Sequence, residues 1–291
     1  MREVNGATRI CGLIGNPVGH TLSPLIHNTL AQQLGHNLVY VPLAVEAGRL
    51  EAAVKGAHAL DFLGLNVTVP YKSEVMDYLE ERELLAEKIG AVNTLVRTGR
   101  GFKGYNTDMP GLYRALCSEG IRLEGEEIIL LGAGGAARAV AFLCASKKAK
   151  KVYLLNRSPE KAKKVANEVN DSFQTDCVEP MGLGGYEKLP DKKFTVLQGT
   201  SVGLYPENCH AAIEDKEFYK RVSVGFDLIY KPAETKFMSL VREAGGQAYN
   251  GLKMLLYQGI IAYELWNQVS VPEETAKEVY RLLDIGQTAG L

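Results

Sequence analysis

The sequence predicts an α/β protein of two domains with mostly parallel sheets. Short apolar runs that suit buried strands alternate along the chain with helical segments, and such alternation favours parallel sheets covered by helices. A length of 291 residues suits two domains better than one. We place the first domain at about 1–112, completed by helices in 251–291, and the second at 113–250.

Composition excludes several classes of function. The net charge of -1 provides no bulk field for binding a nucleic acid. The N-terminus lacks the apolar run of a secretory signal, and the most apolar long segment, 128–145, is interrupted by glycines and Arg138, so we expect no membrane association. Five cysteines without a C-x-x-C pair indicate the reduced thiols of a cytoplasmic protein, and the histidines lack metal-ligand spacing, so we expect no metal site.

The first polar cluster follows a predicted strand at 9–15. Ser23 is a good N-cap for a helix over 25–34, with Pro24 in the favoured first helical position. Most serines in this position only cap the helix. Thr21 and Ser23 nevertheless place two hydroxyls where a strand meets a helix, and these could bind a polyol or a carboxylate.

A second polar group follows a strand at 37–45 and a helix at 47–59. In the next strand, 63–69, Asn66 and Thr68 share one face. Lys72 then falls in the first turn of another predicted helix, where the helix dipole disfavours a cation. This placement suits an acid–base lysine, and a plain surface lysine is an equal alternative.

Two further polar residues come before the second domain. Asn93 lies within a strand at 91–96, and Asp108 precedes a helix that begins with a proline. Asp108 could serve only as an N-cap. The other elements predicted here are a helix at 83–90, a turn at 101–104 and a helix at 111–119.

A glycine-rich strand, turn and helix opens the second domain. Four apolar residues, 128–131, precede Gly132-Ala133-Gly134-Gly135-Ala136-Ala137, and a helix of small residues follows. This is the G-x-G-x-x-A layout of a Rossmann-type dinucleotide-binding domain, in which the turn and the free N–H groups of the helix hold a pyrophosphate. We therefore expect Gly132, Ala133, Gly134, Gly135 and Ala136 to bind a dinucleotide.

The next strand, 151–155, indicates which dinucleotide. It ends in Asn156, Arg157 and Ser158, where an NAD site usually keeps an acidic residue for the ribose 2′-hydroxyl. Arg157 can pair with a 2′-phosphate, and Lys161 adds positive charge. A solvated basic helix start is the alternative, but the preceding glycine loop favours NADP.

Further site residues follow later strands of this domain. Thr200 and Ser201 come after a strand at 194–198, and Tyr230 comes after a strand at 222–229, at the end of the sheet where ligands bind. Gln258 lies on the apolar stripe of a helix that starts after Gly251, so it either bonds neighbouring backbone or reaches into a site. The remaining predicted elements are helices at 159–170, 235–244, 252–267 and 272–285 and a strand at 247–250, with 171–191 unassigned.

Taken together, these motifs resemble the shikimate dehydrogenase family over nearly the whole chain. The residues that carry the resemblance are 15–24, 66–72, 90–94, 104–108, the glycine loop with Asn156 and Arg157, 227–232, and 251–255 with Gln258 and Trp266.

The resemblance implies reversible, NADPH-dependent reduction of 3-dehydroshikimate to shikimate, a step towards chorismate and the aromatic amino acids. Lys72 and Asp108 would form the catalytic pair. The implied substrate-binding residues are Thr21 and Ser23 for the carboxylate, Tyr230 nearby, and Asn66, Thr68, Asn93 and Gln258 for ring hydroxyls. Gly251 would lie near the nicotinamide.

Two departures from the family pattern leave alternatives open. Thr21 stands where serine is usual, and Gln198 stands where asparagine is usual. Because the extra methyl of Thr21 narrows the expected carboxylate pocket, a quinate/shikimate dehydrogenase is an alternative. Such an enzyme could use NAD as its cofactor. A non-catalytic NADP-sensing protein is a rival of another class, although both Lys72 and Asp108 are present. Whether the chain is a monomer or a homodimer is also left open.

Overall fold

The computed structural model describes residues 4–204, 206 and 208–288. The chain divides into two compact units. The first comprises Met1–Leu112 and Leu255–Leu291, and the second is Tyr113–Met254. The chain passes from one unit to the other twice, after Leu112 and after Met254, and both points lie within helices.

The strands and helices alternate along most of the chain. The strands are β1 Arg9–Gly15, β2 Leu38–Ala44, β3 Gly64–Val67, β4 Glu81–Arg82, β5 Thr94–Arg97, β6 Phe102–Tyr105, β7 Glu127–Leu131, β8 Lys151–Asn156, β9 Val178–Gly182, β10 Phe194–Gln198, β11 Val222–Asp227 and β12 Gln247–Tyr249. The α-helices are α1 Ser23–Gln33, α2 Leu50–Ala59, α3 Leu84–Ile89, α4 Asp108–Ser118, α5 Gly135–Ser146, α6 Pro159–Phe173, α7 Lys216–Tyr219, α8 Lys236–Glu243, α9 Leu252–Asn267 and α10 Glu273–Thr288, and short 3-10 helices span Glu74–Tyr78 and Leu183–Lys188.

The first unit contains a mostly parallel sheet, as predicted. Its six strands lie in the order β2-β1-β3-β5-β6-β4, and β5 is antiparallel to both of its neighbours. The predicted turn at 101–104 is wrong, because Phe102–Tyr105 is strand β6. Gly104 is not a turn glycine: a Cβ there would lie 2.4 Å from Leu79 Cδ1, so its neighbours pack directly against the backbone.

The second unit contains the predicted Rossmann-type sheet. All of its strand pairs are parallel, in the order β12-β11-β10-β7-β8-β9. Read from β9 this is the 3-2-1-4-5-6 order of dinucleotide-binding folds. The central strand β7 is buried on both faces, with Ile128, Ile129, Leu130 and Leu131 all at 0% exposure.

The unassigned stretch 171–191 contains β9 and the second 3-10 helix. Strand β9 carries Pro180 and Gly182 and lies at the edge of its sheet, where a proline without an N–H is tolerated. Such a strand lacks the apolar alternation that would identify it in the sequence. No helix in the described part of the chain is long and apolar enough to cross a membrane.

Candidate active site

Lys72 and Asp108 form an ion pair in the first unit. Lys72 Nζ lies 2.7 Å from Asp108 Oδ2, and the two side chains are 35% and 25% exposed. They come from different elements, since Lys72 lies in the turn after β3 and Asp108 is the first residue of α4. A carboxylate at this distance orients the ammonium group while part of the pair faces solvent.

The helix predicted to begin near Lys72 is wrong. Residues 71–73 form a turn, and only a short 3-10 helix, Glu74–Tyr78, follows. The dipole argument for Lys72 therefore does not apply. Its position depends instead on long-range contacts: its carbonyl accepts a hydrogen bond from the N–H of Val92 at 2.8 Å, and its ammonium meets Asp108.

The start of α4 leaves the carboxylate of Asp108 available to Lys72. The Met109 N–H donates to Asn106 Oδ1 at 3.2 Å, and Asn106 Nδ2 in turn donates to the Ala91 carbonyl at 3.0 Å. Asn106 thus satisfies the helix start. The Asp108 carboxylate accepts a hydrogen bond from Lys72, and Asp108 is the first residue of α4 and not its N-cap.

Asn66 and Asn93 belong to one buried hydrogen-bond network. Asn66 Oδ1 accepts from the Tyr40 hydroxyl at 2.8 Å, and Asn66 Nδ2 donates to the Asn93 carbonyl at 3.2 Å and to Thr94 Oγ1 at 3.0 Å. Asn93 Oδ1 accepts from the Thr107 N–H at 2.7 Å. Both N–H groups of Asn66 are therefore used, whereas Asn93 Nδ2 donates to none of the described residues.

Thr21 and Ser23 are adjacent, but Ser23 is not an N-cap. Helix α1 begins at Ser23 itself, and the capping position is Leu22, which makes no side-chain cap. The Thr21 hydroxyl donates to Ser23 Oγ at 3.1 Å and accepts from the Ser23 N–H at 3.2 Å. The predicted cap is therefore wrong, and the hydroxyl pair is the feature that remains.

Thr68 and Gln258 complete the predicted polar residues of this unit. Thr68 lies just beyond β3, and a Cβ on Gly15 would lie 2.3 Å from its methyl, so only glycine fits beside it. Gln258 is nearly buried on α9, and its Nε2 donates to the Leu255 carbonyl at 2.8 Å. Its side chain therefore bonds its own helix through the amide nitrogen.

A cleft of about 990 Å³ in the second unit collects most of the predicted cofactor residues. Those that line it are Gly132, Ala133, Gly134, Gly135, Ala136, Asn156, Arg157, Lys161, Thr200 and Ser201, together with Tyr230. Ser158 and Gly251 do not line it. Gly251 instead packs behind it, since a Cβ there would lie 2.1 Å from the carbonyl oxygen of Leu228, a lining residue.

The glycine loop fits the phosphates of a dinucleotide. Gly132 has φ 107°, a conformation that glycine adopts without strain, and a Cβ there would lie 2.9 Å from Thr200 Cγ2. Around Gly134 and Gly135, by contrast, the Cβ positions meet nothing within 4 Å. The start of α5 thus leaves room for an anion beside its free N–H groups.

Two buried polar residues that sequence reasoning left out of the site shape this cleft. Gln198 Oε1 accepts from the Thr200 N–H at 2.7 Å, and its Nε2 donates to the Val202 carbonyl at 3.0 Å. Asp227 accepts from the Ile229 N–H at 3.0 Å and the Thr235 hydroxyl at 2.7 Å. Burial raises the pKa of Asp227 to about 6. Their positions at strand ends are the signal that could have identified them.

His27 and Tyr40 are buried residues of the first unit that sequence reasoning also missed. Their rings stack at 4.2 Å, and both His27 ring nitrogens lack a hydrogen-bond partner among the described residues. Burial lowers the pKa of His27 to about 3. Burial raises the pKa of Tyr40 well above its usual range, and hydrogen bonding with Ser23 opposes that rise.

Comparison with known proteins agrees with the resemblance noted in the sequence. The family model described as shikimate dehydrogenase substrate binding domain matches residues 13–95, shikimate / quinate 5-dehydrogenase matches 115–181, and shikimate 5'-dehydrogenase C-terminal domain matches 251–279.

Named relatives match over nearly their full length. Shikimate dehydrogenase (NADP(+)) of Desulforamulus reducens is 40% identical over 95% of this chain and 96% of its own, and that of Moorella thermoacetica is 39% identical over 97% and 95%. The crystal structure of shikimate 5-dehydrogenase from Listeria monocytogenes in complex with shikimate and NAD has a TM-score of 0.87 at 31% identity, covering 96% of this chain and 98% of that one. The chain belongs to the shikimate dehydrogenase family.

Proposed function

We propose that this chain is a shikimate dehydrogenase that reversibly reduces 3-dehydroshikimate to shikimate with NADPH. The observation that carries the proposal is the Lys72–Asp108 ion pair at 2.7 Å. An ammonium group held this way is a proton donor suited to a carbonyl oxygen that becomes a hydroxyl. The family membership and the names of the relatives support the same reaction.

In this reaction Lys72 holds the proton, and Asp108 orients the Lys72 side chain. When bound, NADPH supplies the hydride that reduces the carbonyl carbon. Lys72 Nζ donates its proton to the carbonyl oxygen, which becomes the new hydroxyl, and solvent then restores the ammonium. Asp108 fixes the direction of the Lys72 side chain and accepts from a substrate hydroxyl. Acid catalysis of this kind contributes roughly 10²–10⁴-fold.

The remaining polar side chains of the first unit orient the substrate. Thr21 and Ser23 bind the carboxylate through their paired hydroxyls. The ring hydroxyls are bound by Asn66, Thr68, Asn93 and Gln258. The hydrogen bonds of the network support complementary roles, with Asn66 as an acceptor and Asn93 as a donor.

The second unit binds NADP. The loop from Gly132 to Ala136 and the start of α5 would hold the pyrophosphate, and Thr200 and Ser201 line the same cleft. Arg157 and Lys161 would pair with the 2′-phosphate, with Asn156 as a neutral partner and Ser158 next to these residues but outside the cleft lining. The absence of an acidic residue at 156–158 supports NADP over NAD. The family resemblance assigns Gly251 to the nicotinamide end, and Gly251 packs against Leu228, which lines the cleft.

The test is an initial-rate assay at the nicotinamide absorbance band. Shikimate and quinate are each assayed with NADP and with NAD. Fast turnover only with shikimate and NADP supports the proposal, whereas comparable rates with quinate or NAD assign the chain to the dual-substrate branch and make Thr21→Ser the first variant to assay. Lack of turnover in all four assays overturns the proposal that the chain is an enzyme and favours a non-catalytic NADP-sensing protein.

A variant separates catalysis from binding. Lys72→Ala should abolish turnover while NADPH still binds, because the cofactor cleft consists of other residues. Unchanged activity in Lys72→Ala would remove Lys72 from the mechanism.

Location, nucleic-acid binding and assembly remain predictions. All five cysteine thiols are free. This fits the cytoplasm that we proposed from the sequence.

A further inference from the structure

Tyr40 contacts a residue that we assign to substrate binding. It lies on β2, at the edge of its sheet, and is 1% exposed. Its hydroxyl donates to Asn66 Oδ1 at 2.8 Å. This buried phenol therefore reaches the hydroxyl-binding Asn66.

The surroundings of Tyr40 keep its ring in one place. His27 stacks on it at 4.2 Å with planes 18° apart, and Trp266 lies 6.1 Å away. The Tyr40 N–H donates to Asn28 Oδ1 at 2.8 Å, and Asn28 Nδ2 donates to the Tyr40 carbonyl at 3.0 Å. Because stacking holds the ring and hydrogen bonds hold the backbone of Tyr40, its hydroxyl has a fixed position.

This hydroxyl determines what Asn66 offers to a ligand. Both Nδ2 hydrogens of Asn66 are bonded, to the Asn93 carbonyl and to Thr94 Oγ1. The Tyr40 hydroxyl uses one of the two lone pairs of Oδ1, so a single acceptor site remains. Asn66 can then accept from a substrate hydroxyl but cannot donate to one.

We propose that Tyr40 is a positioning residue of the substrate site, which holds Asn66 as an acceptor for a ring hydroxyl. The inference rests on the proposed function, since it takes shikimate as the ligand. Loss of the Tyr40 hydroxyl would leave Asn66 Oδ1 without this partner. Substrate binding would weaken, whereas the proton donor Lys72 would be untouched.

The experiment compares Tyr40→Phe with Tyr263→Phe in the full chain. Tyr263 is a matched control because it is also fully buried and stacks on His27 at 6.2 Å, while its hydroxyl bonds His36 Nδ1 at 2.8 Å. Thermal midpoints are measured first, and kinetics are run about 15 °C below the lower midpoint so that both variants are folded.

We expect Tyr40→Phe to raise KM for shikimate about 3- to 10-fold, the loss of one buried hydrogen bond, with kcat and the Kd of NADPH nearly unchanged. Tyr263→Phe should leave all three values unchanged. A second measurement uses monodeoxy analogues of shikimate in turn. Wild type should discriminate against the analogue that lacks the hydroxyl accepted by Asn66, and this discrimination should shrink in Tyr40→Phe.

The outcomes separate the two hypotheses. Equal KM values in the two variants, or equal discrimination between analogues in wild type and Tyr40→Phe, would overturn the role of Tyr40 and leave the proposed function intact. A wild-type chain that does not turn over shikimate would overturn the proposed function, and the inference about Tyr40 with it.

Discussion

The side-chain amide of Gln198 binds the backbone of Thr200, two residues further along the chain. Gln198 Oε1 accepts from the Thr200 N–H at 2.7 Å, and its Nε2 donates to the Val202 carbonyl at 3.0 Å. Gln198 is fully buried at the end of β10, and Thr200 and Val202 line the cofactor cleft. A residue that departs from the family pattern therefore holds the loop on which the cofactor is expected to rest.

We predict that Gln198→Leu weakens cofactor binding. The substitution leaves the Thr200 N–H and the Val202 carbonyl without partners, which costs about 1–3 kcal/mol and allows the loop to move. The Kd of NADPH, measured by fluorescence titration, should rise about 10-fold. Gln198→Asn keeps the amide on a shorter side chain and should give an intermediate Kd. Thr195→Val, in the same strand, is the control, and a Kd in Gln198→Leu equal to that of the control would contradict the prediction.

We predict that Arg157 discriminates NADP from NAD. Its guanidinium is exposed at the cofactor cleft, where a 2′-phosphate would accept charge-assisted hydrogen bonds. Arg157→Ala should weaken NADP binding about 10- to 100-fold and change NAD binding little. Lys163→Ala is the matched control, because Lys163 is an exposed cation of α6 outside the cleft lining. If Arg157→Ala weakens NAD to the same degree, its contact is not with the 2′-phosphate.

We predict that His27 makes the protein less stable in acid. Burial lowers the pKa of His27 from 6.5 to about 3. Below about pH 6.5 the unfolded chain therefore binds a proton at His27 that the folded chain does not bind. As a result, the free energy of unfolding falls by about 1.4 kcal/mol for each pH unit of acidification between pH 6.5 and 3. The side chains around His27 (Tyr40, Asn66, Tyr263 and Trp266) carry no charge at neutral pH that could hold the proton.

The measurement is the thermal midpoint of wild type and His27→Phe at pH 7 and pH 5. An aromatic ring without titratable nitrogens should keep the stack on Tyr40 and lose less stability on acidification. An equal fall of the two midpoints would show that other groups cause the acid sensitivity.

We predict the opposite pH dependence for Asp227. Burial raises the pKa of its carboxyl from 3.8 to about 6. Between about pH 4 and pH 6 the unfolded chain loses a proton that the folded chain keeps, so the free energy of unfolding falls as pH rises, by at most about 3 kcal/mol. Asp227→Asn cannot titrate and should show no such fall. Asp171→Asn, on the exposed end of α6, is the control, and the same pH profile in wild type and Asp227→Asn would contradict the prediction.

The opposite signs of these two effects explain why single variants are required. His27 belongs to the first unit and Asp227 to the second. For each residue, the range from pH 4 to 6 lies between the pKa in the folded chain and the pKa in the unfolded chain. In wild type the two contributions partly cancel, so a flat profile of total stability would say nothing about either group.

Local sequence determined much of this protein. The local sequence pattern alone predicts the buried run 128–131, the turn at Gly132 and the small-residue helix α5, because these elements are adjacent in the chain. Strands β1 and β10 form over the predicted residues for the same reason. The motifs around Lys72, Asp108 and Arg157 were sufficient to indicate the family.

Tertiary structure decided how the polar residues are used. Lys72 meets a carboxylate 36 residues away, and Tyr40 meets an amide 26 residues away. Such partners depend on the order and register of strands, which no local pattern contains. The same reason explains the errors: Ser23 looks like a cap and Gly104 like a turn until the neighbouring elements are in place. The sequence by itself supplied the chemical groups and the family, and only packing between distant segments decided which group binds which.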